Sequence, residues 1–103
     1  MERRTLTDAE KGKRRESLYR ALLSLRTVEE CEAFLRDLCT EREVGMLSER
    51  WEIARELARG KTYREAARAA NASTTTVTRV AQVLRPAAGL GYRLILGRLL
   101  GRM

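Results

Sequence analysis

The sequence contains no histidine, only two cysteines and one proline, and five of its 103 residues are aromatic. Cys31 and Cys39 are eight positions apart, which is not the spacing of a zinc site. Histidine is also the side chain that most often transfers protons in enzymes. No glycine-rich phosphate loop and no carboxylate pair in an apolar setting replaces it. The sequence therefore predicts no catalytic residue, no metal site and no cofactor.

Long apolar runs are absent as well. No stretch approaches the roughly 18 apolar residues of a membrane span, and no apolar segment follows the basic N-terminus as it would in a secretory signal. Free thiols are typical of a reducing compartment. We therefore expect a cytoplasmic protein with two reduced cysteines and no membrane partner.

The charges of the chain are unevenly distributed. Residues 1–26 hold eight Lys/Arg and four Asp/Glu, residues 27–58 hold four and nine, and residues 59–103 hold nine and one. The last segment thus carries a net charge of +8, and its only acid is Glu65. Such a basic segment indicates a polyanionic partner, with a merely soluble basic protein as the alternative.

Helix-start signals recur along the chain. The capping-box pattern Thr-x-x-Glu occurs at Thr7, Thr27, Thr40 and Thr62, and Ser73 is a fifth predicted cap. Gly60, Asn71 and Pro86 are predicted helix ends. These signals predict helices at about 8–25, 28–38, 41–59, 63–70 and 74–84, with a sixth in GLGYRLILGRLL. No segment alternates as a strand does, so the predicted class is all-α.

Apolar side chains are too numerous for a small monomer to bury. The predicted apolar positions are Leu18, Leu22 and Leu25; Val28, Cys31, Phe34, Leu35 and Leu38; Val44, Leu47, Trp51, Ala54 and Ala58; and Leu94, Ile95, Leu96, Leu99 and Leu100. A homodimer that shares the helices of residues 8–58 would cover this surface. The alternative is a C-terminal segment lying on a membrane, with Arg93, Arg98 and Arg102 facing the lipid headgroups.

The stretch TYREAARAANASTTTVTRVAQVL, residues 62–84, has the pattern of a helix-turn-helix. Ala66, Ala67 and Ala70 allow two helices to cross closely, and Asn71 tolerates the positive φ of a tight turn. Val77, Val80 and Leu84 would anchor the second helix to the first. The opposite side then faces outward, as in the helix that enters the DNA major groove; an ordinary αα-corner with a polar face is the alternative.

The residues predicted to contact double-stranded DNA are hydroxyl, amide and basic side chains in and around this motif. Hydroxyls can bond to base edges or phosphates, and a threonine methyl can contact the methyl of thymine, whereas lysine and arginine contact phosphates. Thr76 lies between the core and the groove side. The set is Arg59, Lys61, Arg64, Arg68, Ser73, Thr74, Thr75, Thr76, Thr78, Arg79 and Gln82.

Residues 31–93 resemble the Trp-repressor superfamily, specifically the Trp-repressor-like proteins of the YerC/YecD type. The similar stretches are LCTEREVGMLSERWEIARELARGKTYREAA, ASTTTVTRV and GYRLIL. The resemblance implies an all-helical, intertwined homodimer that binds operator DNA. The chain is thus interpreted as one domain over residues 1–103, with dimerisation helices at about 8–58, the helix-turn-helix at 62–84 and a C-terminal segment at 86–103.

The same resemblance raises the question of an effector. The Trp repressor binds tryptophan between two arginines, and Arg50 and Arg79 match those positions. Val80 and Val83 replace a glycine and a serine, however, so we expect them to fill the indole slot and leave no cavity. Tryptophan is therefore not expected as a corepressor. The simpler interpretation is a salt bridge for Arg50 and a phosphate contact for Arg79.

Two other functions remain open. The acidic segment of residues 27–58 could bind a basic protein, with the helix-turn-helix as scaffold. Replication initiators use a related helix-turn-helix on double-stranded DNA, although no nucleotide-binding segment is present here. The function favoured by the sequence is a sequence-specific DNA-binding transcriptional regulator, a repressor rather than an enzyme.

Overall fold

The computed structural model describes residues 3–85 and 89–101. Within these residues the chain forms six α-helices and no strand, which confirms the all-α class. The helices are α1 (Asp8–Leu23), α2 (Val28–Leu38), α3 (Glu41–Ala58), α4 (Tyr63–Ala70), α5 (Thr74–Val83) and α6 (Leu90–Leu100). Each lies within two residues of its predicted range. Pro86, the predicted stop of the fifth helix, and Arg102 lie outside the described residues.

The capping residues explain where the helices begin. Thr7 and Thr62 each form a complete capping box, in which the hydroxyl accepts from the third helical N–H and the glutamate accepts from the threonine N–H. Thr27 accepts from the N–H of Glu30, but the Glu30 carboxylate accepts from the N–H of Arg26. Ser73 caps α5 as predicted. The box at Thr40 stays a prediction.

The chain forms two compact units, residues 1–40 and residues 41–103. The first unit contains α1 and α2, and neither helix has a buried residue. Val28 is 77% exposed and Leu38 is 52% exposed, so much of the predicted apolar face of α2 is open to solvent in the single chain. The interpretation of residues 1–103 as one domain stays a prediction.

The second unit has a small core to which four helices contribute. Its buried residues are Ile53, Ala54, Ala66, Val77, Val80 and Leu96. The predicted stripe on α3 omitted Ile53, which is fully buried, and included Leu47, which is 47% exposed. Ile53 is buried because α3 contacts α4, α5 and α6, so the buried surface of α3 is wider than one helical stripe. The burial of Leu47 in a dimer stays a prediction.

Two glycines with positive φ, Gly60 and Gly89, lie where helices of this unit end or begin. Gly60 has φ of 87°, and the next residue, Lys61, donates its N–H to the carbonyl of Glu56, which closes the end of α3. Gly89 has φ of 69° and precedes α6; a Cβ there would lie 2.0 Å from the carbonyl oxygen of Val83. Only glycine therefore allows this approach of the segment before α6 to the last residue of α5.

Candidate nucleic-acid interface

Helices α4 and α5 are joined by a three-residue turn, Asn71–Ala72–Ser73. Asn71 adopts φ of 52° and ψ of 48°, as predicted for the turn. The N–H of Ala72 donates to the carbonyl of Ala67 at 2.9 Å, and the N–H of Asn71 donates to that of Arg68 at 3.2 Å. These bonds satisfy the last carbonyls of α4 and fix the direction in which the chain leaves it.

The two sides of α5 differ sharply in burial. Val77 is fully buried and Val80 is 2% exposed, and both contact the core with Ala66 of α4. The opposite side is solvent-exposed and carries Thr74, Thr75, Thr78, Arg79 and Gln82. These five predicted residues lie on one helix face, since their spacing follows the helical repeat. The structure therefore presents them together on the accessible side of the motif.

Ser73 and Thr76 lie at the start of α5 and have a different setting. Ser73 Oγ accepts from the backbone N–H of Thr76 at 3.2 Å, and their hydroxyls are 3.0 Å apart. Thr76 is half-buried, in contrast to the exposed threonines around it. The hydroxyls of both residues are thus engaged with each other at the helix cap.

Four predicted basic residues surround the motif, and all are exposed: Arg59, Lys61, Arg64 and Arg68. Arg59 is 3.4 Å from the carboxylate of Glu56. Among the described residues, no acid lies within ion-pair distance of Lys61, Arg64 or Arg68. Glu65, the only acid of residues 59–103, accepts the backbone N–H of Thr62. The cations beside the motif are therefore mostly not neutralised.

The capping bond also perturbs the titration of Glu65. The backbone hydrogen bond from Thr62 lowers the pKa of this carboxyl below its ordinary value, and Lys61 and Arg68 add smaller effects in the same direction. Glu65 is therefore ionised at neutral pH and compensates the N-terminus of α4.

A cavity of about 270 Å³ lies beside α5, inside the second unit. The four residues of the suspected effector pocket, Arg50, Arg79, Val80 and Val83, all line it. The prediction that the two valines would leave no space is wrong. Val80 points into the core and is almost fully buried, whereas Val83 is 42% exposed at the cavity edge. The valines border the space without filling it.

The salt bridge expected for Arg50 is also absent from the described part of the chain, where none of the ion pairs includes it. Arg50 instead lines the cavity together with Glu49. Sequence reasoning missed four lining residues, namely Met46, Glu49, Thr76 and Tyr92. The spacing of Met46, Glu49 and Arg50 by three and four residues could have placed them on one face of α3. The position of Tyr92 beside the cavity depends instead on how α6 packs, which no spacing in the sequence shows.

Comparison with known proteins shows which family has this arrangement. Residues 13–100 match the family model of the Trp repressor protein. The chain belongs to the Trp repressor family. It is 42% identical over 77 residues to the uncharacterised protein YerC of Bacillus subtilis (strain 168), with 75% of this chain and 74% of YerC covered. The resemblance stated from the sequence is thereby confirmed.

Solved structures of Trp-repressor-like proteins have the same fold. A TrpR-like protein of Eubacterium eligens ATCC 27750 superposes with a TM-score of 0.76 at 38% identity, covering 82% of this chain and 86% of its own. A candidate Trp repressor of Staphylococcus aureus gives a TM-score of 0.81 at 35% identity, covering 92% and 96%. Trp-repressor family members are regulators rather than enzymes. No helix in the described part of this chain has the length and apolarity needed to cross a bilayer.

Proposed function

We propose that this Trp-repressor-family protein is a sequence-specific regulator of transcription, a repressor, that inserts α5 into the major groove of double-stranded DNA. The observation that carries the proposal is the division of α5 into a buried side, Val77 and Val80, and an exposed side of threonine, arginine and glutamine. A helix anchored in this way presents its polar side as a rigid unit.

The surrounding charge supports nucleic acid as the partner. Lys61, Arg64 and Arg68 are exposed and lack ion pairs within the described residues. Contacts of such side chains with phosphates supply most of the non-specific affinity of DNA-binding proteins. A basic protein bound at the acidic segment of residues 27–58 would leave these cations without a partner.

A homodimer is part of the proposal. The absence of buried residues in α1 and α2 leaves their apolar side chains without a core in the single chain. A second copy of the chain would cover them and place two α5 helices on successive major grooves, about 34 Å apart. The expected operator is accordingly a palindrome with half-sites one helical turn apart.

The experiment that tests the proposal is a selection from a random duplex library with the full chain, followed by binding measurements over a range of salt concentrations. We expect enrichment of one palindromic sequence and a steep salt dependence. Binding of all duplexes with equal affinity, or of none, would contradict sequence-specific regulation. Failure to bind DNA together with capture of a basic partner would favour the interaction module.

The variant Lys61→Ala distinguishes contacts with the phosphates from recognition of the base sequence. Lys61 lies in the turn before α4, is exposed and has no ion pair in the described chain, so we expect it to contact a phosphate. The variant should weaken enriched and random duplexes alike and reduce the salt slope by about one. Arg42→Ala, which removes an exposed cation from the acidic segment, is the control and should leave the slope unchanged. Selective loss of the enriched sequence in Lys61→Ala would contradict the assignment.

A further inference from the structure

The hydroxyl groups at the start of α5 are not equivalent, because hydrogen bonds inside the helix engage some of them. Ser73 and Thr76 are bonded at the cap, as described above. Thr78 Oγ1 donates its single hydrogen to the backbone carbonyl of Thr74 at 2.9 Å. Among the described residues, no group bonds to the hydroxyl of Thr74 or of Thr75.

This difference changes what each exposed threonine offers to a partner. A threonine hydroxyl has one donor hydrogen, and that of Thr78 is already used on its own helix. Without breaking this bond, Thr78 can offer a partner its Cγ2 methyl and the acceptor lone pairs of its oxygen, but no donor hydrogen. Thr75 keeps both the donor and the acceptor capacity of its hydroxyl. Two residues of identical type on one exposed face therefore present different chemistry.

We infer that Thr78 contacts the C5 methyl of a thymine, whereas Thr75 hydrogen-bonds a base edge. The inference rests on the proposed function, since it assigns roles within the major-groove complex. In that groove only thymine carries a methyl group, and a threonine methyl is one of its apolar partners. Threonine and thymine methyls that meet there are both removed from water, which favours thymine over a base without the methyl.

The helix geometry limits where the two contacts fall. Three residues along α5 correspond to a rise of about 4.5 Å, and successive bases on one strand are about 3.4 Å apart. The thymine contacted by Thr78 therefore lies within about two base pairs of the base contacted by Thr75. Symmetry of the proposed dimer repeats the pair of contacts in the second half-site.

The test uses the enriched duplex with each thymine replaced in turn by deoxyuridine, which removes only the C5 methyl. For the unmodified protein we expect one thymine per half-site at which the replacement weakens binding about fourfold, the value of one buried methyl group. The other thymines should tolerate the replacement. If no replacement lowers the affinity, the inference is wrong.

Matched variants identify the residue responsible. Thr78→Val keeps the methyl and loses the hydroxyl, so it should retain the preference for thymine over deoxyuridine. Thr78→Ser keeps the hydroxyl and loses the methyl, so it should lose that preference. At Thr75 the pattern should reverse, with Thr75→Ser close to the unmodified protein and Thr75→Val weaker by roughly tenfold. Serine and valine have helix propensities near that of threonine, and equal melting temperatures would confirm intact folding.

Two results would overturn the inference in different ways. If Thr78→Ser retains the preference for thymine over deoxyuridine, the Thr78 methyl does not produce that preference and the assignment of Thr78 is wrong. If Thr75 and Thr78 variants respond alike, the hydroxyls are equivalent in the complex. If the selection enriches no duplex at all, the proposed function fails and the inference with it, which distinguishes that failure from a wrong assignment of the two threonines.

Discussion

Val80 and Val83 are one helical turn apart on α5, yet they have different roles. Val80 is 2% exposed and packs in the core with Ile53 and Ala66, whereas Val83 is 42% exposed beside the cavity. A buried β-branched side chain restricts the rotation and tilt of its helix. The position of α5 is therefore fixed by packing, whether or not the neighbouring cavity is occupied.

From this we expect tryptophan to leave the affinity for DNA unchanged, even at millimolar concentration. A ligand that does not itself contact the DNA raises affinity only by favouring a state that is not already populated, and Val77 and Val80 pack α5 against the core without one. The measurement is fluorescence anisotropy of the enriched duplex with and without tryptophan. An increase that disappears in Arg50→Ala would show that the cavity acts as an effector site and that packing alone does not position α5.

At the scale of the helices, capping residues contribute much of the stability of a short helix. Helix α4 has only eight residues and one fully buried side chain, Ala66. So short a helix is marginal without tertiary contacts and capping. The box formed by Thr62 and Glu65 at one end and the αL conformation of Asn71 at the other therefore determine whether the motif keeps its shape.

The box predicts a specific dependence of stability on pH. The pKa of Glu65 is lowered in the folded chain, so its contribution is complete above the pKa of the unfolded chain and is lost as the pH falls through the folded value. Glu65→Gln should be less stable at neutral pH and should lose part of the acid sensitivity below about pH 4.5. Urea unfolding between pH 3 and 7 would measure both effects.

Glu41→Gln is the control for this experiment. Glu41 also lies in the first turn of a helix, but no hydrogen bond of its carboxylate occurs in the described structure. If both variants change the pH profile equally, the general attraction of an acid to a helix N-terminus accounts for the effect, and the capping bond does not.

The sequence predicted the helices better than the contacts between them. Thr7, Thr62, Ser73 and Asn71 act on backbone groups within four residues, so their effect is visible in a local pattern. α1 ends at Leu23 rather than 25, where Ser24 donates its hydroxyl to the carbonyl of Ala21.

The cavity could not be predicted because its lining depends on where α6 packs relative to α3 and α5. Tyr92 lines the cavity with Arg50 and Arg79, and Gly89, the residue before α6, lies close to the carbonyl of Val83 at the end of α5. Only glycine permits this approach, and no local pattern in the sequence shows it. The bond between the Thr78 hydroxyl and the Thr74 carbonyl could likewise not be predicted. The hydroxyl of a threonine in a helix can either bond to the carbonyl four residues earlier or face the solvent.

On the scale of the whole molecule, the apolar side chains of the first unit are the observation on which the proposed dimer rests. Leu18 and Leu22 are 37% and 39% exposed in the single chain, and they lie one turn apart on α1. Burial of such side chains between two copies is the main source of dimer stability in small helical proteins.

Leu22→Lys should therefore weaken the dimer. A charge placed in an apolar interface costs enough to raise the dissociation constant at least thirtyfold, about 2 kcal/mol. Sedimentation at micromolar concentration should show about twice the chain mass of 11.8 kDa for the unmodified protein and a lower mass for the variant. Ser17→Lys, at an exposed polar position of the same helix, should remain dimeric. A monomeric unmodified protein would remove the basis for paired half-sites.

The core shared by α3, α4, α5 and α6 determines which helices should unfold together. Ile53, Ala66, Val77, Val80 and Leu96 form one buried cluster, so we expect α5 to unfold together with the other three helices. In native-state hydrogen exchange, the slowest amides of α5 should open with the same free energy as those of α3. If the proposed dimer covers α1 and α2, protection of their amides should instead rise with protein concentration. Helix α5, which is proposed to enter the major groove, would thus be among the last parts of the molecule to exchange.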